Sequence, residues 1–285
     1  MPALDPRLTP ARADLAATHL QGRVEAARFV EGRDYEVVGA QAPVRAQPRP
    51  DSSLLTEALK GERVTIYDMN EDGWAWGQLA ADKYVGWIPS SALAPPGPPP
   101  THRVAALRTL VFPGPSIKLP PIESLPLGAT LAVARTADRL AVTSAGGHVP
   151  ATHLRPVGEH ESDFVAVAER FVGVPYLWGG KTALGLDCSG LVQVALTACG
   201  TACPRDSDMQ EAALGTPVAA AAGDSDLQRG DLVFWKGHVA IVRDRGSLLH
   251  ANAFHMAVAI EPMAEAMARI RQNGSEVTSV RRIHR

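Results

Sequence analysis

The chain lacks several features that would each have fixed a function class. No run approaches the ~18 apolar residues of a membrane-spanning helix, so no transmembrane segment is expected. The first residues, Met1 to Arg7, show no basic stretch leading into an apolar one. No secretory signal peptide is therefore expected, and the expected location is the cytoplasm. Charge of one sign is nowhere concentrated: 28 Lys and Arg against 30 Asp and Glu give a net charge of −2. That balance argues against a nucleic-acid or anionic-membrane partner. Cysteine is scarce, with only Cys188, Cys199 and Cys203. An odd count offers no disulfide framework, and one short Cys–Cys spacing without a second pair offers no zinc site. Neither metal nor organic cofactor is expected.

What is present suits a globular protein. A hydrophobic fraction of 46% over 285 residues is enough for two or three cores. In residues 1–34, Leu15, Leu20, Val24 and Ala27 fall near helical spacing, which predicts a helical N-terminal extension. Residues 35–94 alternate apolar and polar in short runs, such as Arg63 to Tyr67 and Trp74 to Leu79, split by turn residues such as Asn70-Glu71-Asp72-Gly73. This predicts a small SH3-like β-barrel. Residues 95–100, rich in proline, read as a semi-rigid linker. Residues 101–157 repeat the barrel pattern more weakly. Gly147-His148-Val149-Pro150 followed by Leu154 echoes Gly86-Trp87-Ile88-Pro89 followed by Leu93, predicting a diverged second copy.

Residues 158–285 read differently. Asp163 to Val172 is patterned as an amphipathic helix closed by Gly173. A turn into a second helix follows at Cys188. Asp231 to Trp235, His238 to Val242, Ser247 to Ala251 and Val258 to Ile260 then form consecutive strands. Helices followed by a meander indicate an α+β fold.

Cys188 opens its helix, where the macrodipole favours a thiolate. Asp244-Arg245-Gly246 predicts a tight turn, and a hairpin centred near 244 places His238 opposite His250. Directly opposed side chains lie roughly 4.5–5.5 Å apart at Cβ, so one imidazole can orient the other. Nucleophile, base and orienting group are then Cys188, His238 and His250. The competing reading, an inert buried cysteine and two packed histidines, fits the helix-start position less well. Tyr176, in the aromatic turn Val174 to Gly180, either packs in the core or lines the site with its hydroxyl. Asp206 either caps a helix or binds a substrate ammonium.

Pro175-Tyr176-Leu177-Trp178-Gly179-Gly180, Leu186-Asp187-Cys188-Ser189-Gly190-Leu191-Val192, Gly230-Asp231-Leu232-Val233-Phe234-Trp235 and Gly237-His238-Val239-Ala240-Ile241-Val242 occur in this order. They resemble the NlpC-type cell-wall peptidases, papain-like cysteine enzymes with a Cys-His-His triad. The resemblance covers roughly 160–285. Two SH3-like domains before such a catalytic domain resemble the γ-D-glutamyl-L-diamino acid endopeptidases. The resemblance implies short peptidoglycan peptides, L-Ala-γ-D-Glu-diamino acid, as substrates, with a required free N-terminal L-Ala and a role in wall recycling. It implies that Tyr176, Trp178, Asp187 and Ser189 line the substrate site and that Asp206 holds the amine. It also implies that Glu57 and Tyr84 close the pocket from the first SH3-like domain. The alternatives are an amidase or acyltransferase on the same fold, or a non-catalytic wall-binding protein.

Overall fold

The computed structural model describes residues 4–218 and 227–284. They fall into two compact units, Met1–Glu159 and His160–Arg285.

In the first unit, a seven-stranded antiparallel sheet carries the alternating segments. Its order is Leu54–Leu59, Gln41–Arg45, Val85–Pro89, Trp74–Leu79, Arg63–Met69, Arg33–Val37 and Leu93–Ala94. Val37, Val44, Ala58, Val64, Leu79 and Ile88 fill its interior. Gly86 sits opposite Gly77, and a Cβ on Gly86 would meet Val44 Cγ1 at 2.5 Å. The sheet curls there only because no side chain intervenes.

The N-terminal segment is not the expected helix. Ala16–Ala17 pairs in parallel with Phe29–Val30, joined through a single 3-10 turn at Thr18–Leu20. Leu15, Ala16 and Ala17 are all fully buried. A surface helix buries one stripe of its residues, whereas three consecutive buried residues need an extended chain pressed into a groove. Pro6 and Pro10 stand ahead of this stretch, and Gly22 at φ +77° turns the chain after it. Leu15 packs with Trp76 and Val85. The Arg12 guanidinium lies 4.5 Å from the Trp76 ring and 4.8 Å from the Trp87 ring. The segment thus completes the aromatic face of the first barrel.

The second half of this unit holds three small sheets. They pair His102–Val104 with Thr130–Leu131 and Leu154–Pro156, Arg108–Val111 with Glu123–Pro126, and Leu140–Thr143 with Val133–Ala137 and His148–Pro150. Val104, Leu125, Ala129, Val149 and Leu154 share one core. Strand, 3-10 turn and short strand follow one another at His148–Pro150, Ala151–His153 and Leu154–Pro156. The same succession occurs at Val85–Pro89, Ser90–Ala92 and Leu93–Ala94.

The second unit contains α1 (Phe164–Glu169), α2 (Cys188–Ala198), α3 (Ser207–Ala213) and α4 (Met263–Gln272). Its strands are β1 (Thr216–Val218), β2 (Asp231–Trp235), β3 (His238–Asp244), β4 (Ser247–Asn252), β5 (Ala257–Pro262) and β6 (Val277–Arg282). They form one antiparallel sheet in the order β1-β6-β2-β3-β4-β5. Helix α2 packs on α1, β3 and β4. Helix α4 lays Met263 and Ala266 on Val233, Trp235, Ala240, Val242 and Leu248.

Helix α1 is shorter than its pattern predicts. Asp163 caps it, accepting from the Val165 and Ala166 N–H groups at 2.9 and 3.3 Å. It ends before Phe171, which is buried, and Val172, which is 47% exposed rather than part of the apolar face. The β3–β4 register also differs from expectation. Ile241 pairs with Leu249 and Val242 with Leu248, a bulge intervenes, and Asp244 pairs with Ser247. The ladder centres on residue 245, so His238 and His250 are not directly opposed. The offset from the expected pairing is two residues, and an even offset keeps both side chains on the same face.

Candidate active site

The start of α2 is built by Asp187. Its Oδ1 accepts from the Gly190 N–H at 2.7 Å, capping the helix, and its Oδ2 accepts from the Gly179 N–H at 2.8 Å. Arg205, fully buried, donates to both oxygens, from Nη1 at 2.9 Å and Nη2 at 2.8 Å. The same guanidinium donates to Ser189 Oγ at 2.9 Å and to the Gly180 carbonyl at 3.2 Å. Gly190 has to be glycine, because a Cβ there would lie 2.3 Å from the Gly180 carbonyl oxygen. Asp187 and Ser189, expected to face substrate, turn their side chains inward to Arg205 and are buried. Their placement sets the backbone on which Cys188 sits.

Cys188 is buried too. Burial, with the Asp187 carboxylate beside it, pushes the thiol up to about 12, although the Val239 and Ser189 N–H groups face the sulfur and act the other way. The helix start favours a thiolate, whereas burial acts to keep the proton on the sulfur. The Val239 N–H at the sulfur brings to the thiol the chain next to His238.

His238 Nε2 lies 2.8 Å from His250 Nδ1, with ring centroids 5.0 Å apart. Burial, then the neighbouring His250 and Arg269, pulls the His238 imidazole down to about 3. Beyond His250 stands a residue that sequence reasoning missed. Glu261 Oε1 lies 2.6 Å from His250 Nε2, and Arg269 of α4 pairs with the same oxygen. Burial raises the Glu261 carboxyl, but hydrogen bonds from His250 and Arg269 outweigh it and hold the group at about 2. The only sequence signal was register: Leu248 pairs with Glu261, so Glu261 shares a face with His250. His255 Nδ1 is 4.0 Å from Glu261 and 3.1 Å from Asn252 Oδ1, so it borders this row.

The Tyr176 N–H donates to the carbonyl of Met256, just before β5, at 2.9 Å. Burial raises its hydroxyl, as do Cys188 and Asp187, so it stays a donor beside the sulfur. Trp178 is 67% exposed. Asp206 stands at the N-cap position of α3, yet its side chain makes no capping hydrogen bond. Glu57 and Tyr84 belong to the first unit, and both are buried. Glu57 accepts from Gln41 Nε2 at 2.9 Å. Cys203 is buried, with its Sγ 3.4 Å from the Pro204 carbonyl. Among the described residues no group of His, Cys, Asp and Glu is arranged to hold a metal ion, and no helix is long and apolar enough to cross a membrane.

Two family profiles match the chain. The NlpC/P60 family matches residues 173–276, and the bacterial dipeptidyl-peptidase SH3 domain matches residues 44–93. Dipeptidyl-peptidase 6 of Lysinibacillus sphaericus is 28% identical over 261 residues, covering 83% of this chain and 94% of that protein. The γ-D-glutamyl-L-lysine dipeptidyl-peptidase of Bacillus subtilis (strain 168) is 31% identical over 128 residues, covering 42% of this chain and 40% of that one. The chain therefore spans nearly all of the first relative and less than half of the second. A crystal structure of an NlpC/P60 family protein from Bacillus cereus superposes with a TM-score of 0.72 at 20% identity, covering 88% of this chain and 99% of that chain. That likeness establishes the fold. Residues 173–276 form an NlpC/P60 family domain with a cysteine-peptidase fold, and the chain sets it behind an SH3-like domain of the bacterial dipeptidyl-peptidase kind.

Proposed function

We propose that this chain is a cysteine peptidase. In this reading it hydrolyses the γ-D-Glu–diamino acid bond of peptidoglycan stem peptides that carry a free N-terminal L-Ala, recycling short wall fragments in the cytoplasm. One observation supports the chemistry above the others: the 2.8 Å contact of His238 with His250, in a strand whose next N–H reaches the Cys188 sulfur. The relatives named as dipeptidyl-peptidases support the substrate class.

In this reading Cys188 Sγ attacks the γ-carbonyl of D-Glu while its proton passes to His238. With both partners held neutral at rest by burial, in this reading, proton transfer accompanies attack rather than preceding it. The imidazolium gives the proton to the departing amine. A water activated by His238 then cleaves the thioester, freeing L-Ala-D-Glu. The Tyr176 hydroxyl donates to substrate. Asp206 takes the N-terminal ammonium, with Trp178 flanking the peptide.

The test is incubation of the protein with L-Ala-γ-D-Glu-diaminopimelate and with its N-acetylated form. Release of L-Ala-D-Glu from the first, a much slower reaction of the second, and no turnover by Cys188→Ala are expected. Full turnover by Cys188→Ala overturns the mechanism. Equal rates on the two peptides overturn the amine requirement.

A further inference from the structure

The row of hydrogen bonds behind the site does not end at the second histidine. His238 Nε2 meets His250 Nδ1 at 2.8 Å, and His250 Nε2 meets Glu261 Oε1 at 2.6 Å. Arg269 closes the row by pairing with the same carboxylate, and its guanidinium lies 4.1 Å from the Phe254 ring centre. We propose that Glu261 is a positioning residue that fixes the tautomer of His250, and through it the atom of His238 that receives the Cys188 proton. This rests on the roles assigned to Cys188 and His238 above.

The argument is one of donors and acceptors. An ionised carboxylate only accepts, so His250 must carry its proton on Nε2. In a neutral His250 the Nδ1 is then a bare lone pair, which the proton on His238 Nε2 satisfies. His238 Nδ1 is left unprotonated and is the only basic atom on that ring. In the opposite arrangement His250 donates from Nδ1, His238 is protonated on Nδ1, and no base remains for the thiol. The charge of Glu261 disfavours that arrangement, and the pairing with Arg269 keeps the charge in place. When the sulfur's proton arrives at His238 Nδ1, one N–H bond forms as one S–H bond breaks. The resulting imidazolium then faces an intact chain of acceptors ending in an anion.

The charged and titratable groups around this row come from each packed element. Arg269 comes from α4, His250 from β4, His255 from the β4–β5 turn and His238 from β3. Cys188 of α2, with Asp187 and Arg205 beside it, meets β3 at the Val239 N–H. Glu261→Gln is isosteric but neutral, and its amide can turn to donate toward His250, which admits the wrong tautomer.

The imidazole nitrogens of the uncleaved protein, read by nitrogen NMR, test this without substrate. The parent is expected to show His250 protonated on Nε2 at neutral pH, and Glu261→Gln a mixed or reversed pattern. With the peptide substrate, Glu261→Gln is expected to lose roughly 100-fold in kcat with KM little changed, the scale of a positioned base. Its pH–rate profile should be altered, and Glu261→Asp should recover part of the loss. Arg269→Ala, which leaves the carboxylate, should lose less. An unchanged tautomer and a kcat within twofold of the parent for Glu261→Gln overturn the proposal. So does an equal loss in Arg269→Ala with an unaltered pH profile, since that marks Glu261 as an anchor for α4 alone. If the peptide is not cleaved at all while the tautomer still follows Glu261, the substrate assignment has failed and the positioning role stands.

Discussion

The guanidinium of Arg205 meets the carboxylate of Asp187 as a two-pronged fork, with both contacts under 3 Å and both groups buried beneath Cys188. The carboxylate also caps α2, so one ion pair fixes the helix on which Cys188 stands. Removing one member of a buried pair strands the other. Arg205→Met is therefore expected to lose about 3–5 kcal/mol of unfolding free energy. Arg205→Lys should fall between, since an ammonium keeps the charge but cannot match the fork. Urea unfolding followed by tryptophan fluorescence measures both. A loss under about 1 kcal/mol in Arg205→Met would show that the pair does not hold α2.

The sulfur above that pair is predicted to be a poor nucleophile until substrate arrives. With its thiol near 12, the thiolate fraction at neutral pH is small and rises tenfold per pH unit. Alkylation of the resting protein by iodoacetamide, read as modification of Cys188 by mass spectrometry, should accelerate steadily from pH 6 to pH 10. A plateau below pH 8 would mean that a preformed thiolate–imidazolium pair exists, contrary to the balance of burial and dipoles described above.

Acid should destabilise the second unit in two overlapping windows. The His238 imidazole is neutral in the fold down to about pH 3, against 6.5 in the unfolded chain. Between those values the unfolded state binds the extra proton, so stability falls as pH falls, by roughly 2–4 kcal/mol for a partly buried group. Glu261 acts between 4.5 and about 2, where its ionised form favours the fold and is lost on acidification. Thermal melts from pH 7 to pH 3 should show a midpoint dropping from about 6.5 downward. His238→Asn should flatten the upper part of that drop, and an unchanged slope in this variant would refute its source.

The N-terminal segment offers a different test. Leu15 is fully buried against Trp76 and Val85 and lies outside the residues matched by the SH3 profile, 44–93. Leu15→Ala is expected to lower the stability of the first unit by about 2–5 kcal/mol, the cost of a core leucine. Limited proteolysis should then cut the 35–94 region faster. A variant as resistant as the parent would make the segment an appendage.

The second unit was more legible than this segment for physical reasons. Cys188 could be read because a capping acid, a small-residue run and a terminating glycine surround it locally. β2 to β5 could be read because buried strands are near-continuous apolar runs. The same logic failed at Leu15 to Ala27, where helical spacing arose in a chain whose burial is set by a groove far away in sequence. The β3–β4 pairing was displaced by two residues because the turn falls at Arg245-Gly246, three residues of register past the expected centre, and a bulge before Asp244 takes one back, which no local pattern announces. Glu261 and Arg205 were invisible for a related reason. Their partners lie 11 and 18 residues away, and only strand register and helix packing bring the charges together.

Recognition of the substrate amine, as proposed, puts a quantitative demand on Asp206. A charge-assisted contact contributes roughly 1.5–3 kcal/mol, which corresponds to about 10–150-fold in binding. Asp206→Asn should raise KM for L-Ala-γ-D-Glu-diaminopimelate by that factor and leave kcat nearly intact, because the contact lies away from the breaking bond. The N-acetylated peptide has no ammonium to lose, so the variant and the parent should process it equally slowly, and the ratio between the two peptides should collapse. A ratio that survives Asp206→Asn would assign the amine to another group, and a fall in kcat instead of a rise in KM would place Asp206 with the catalytic residues.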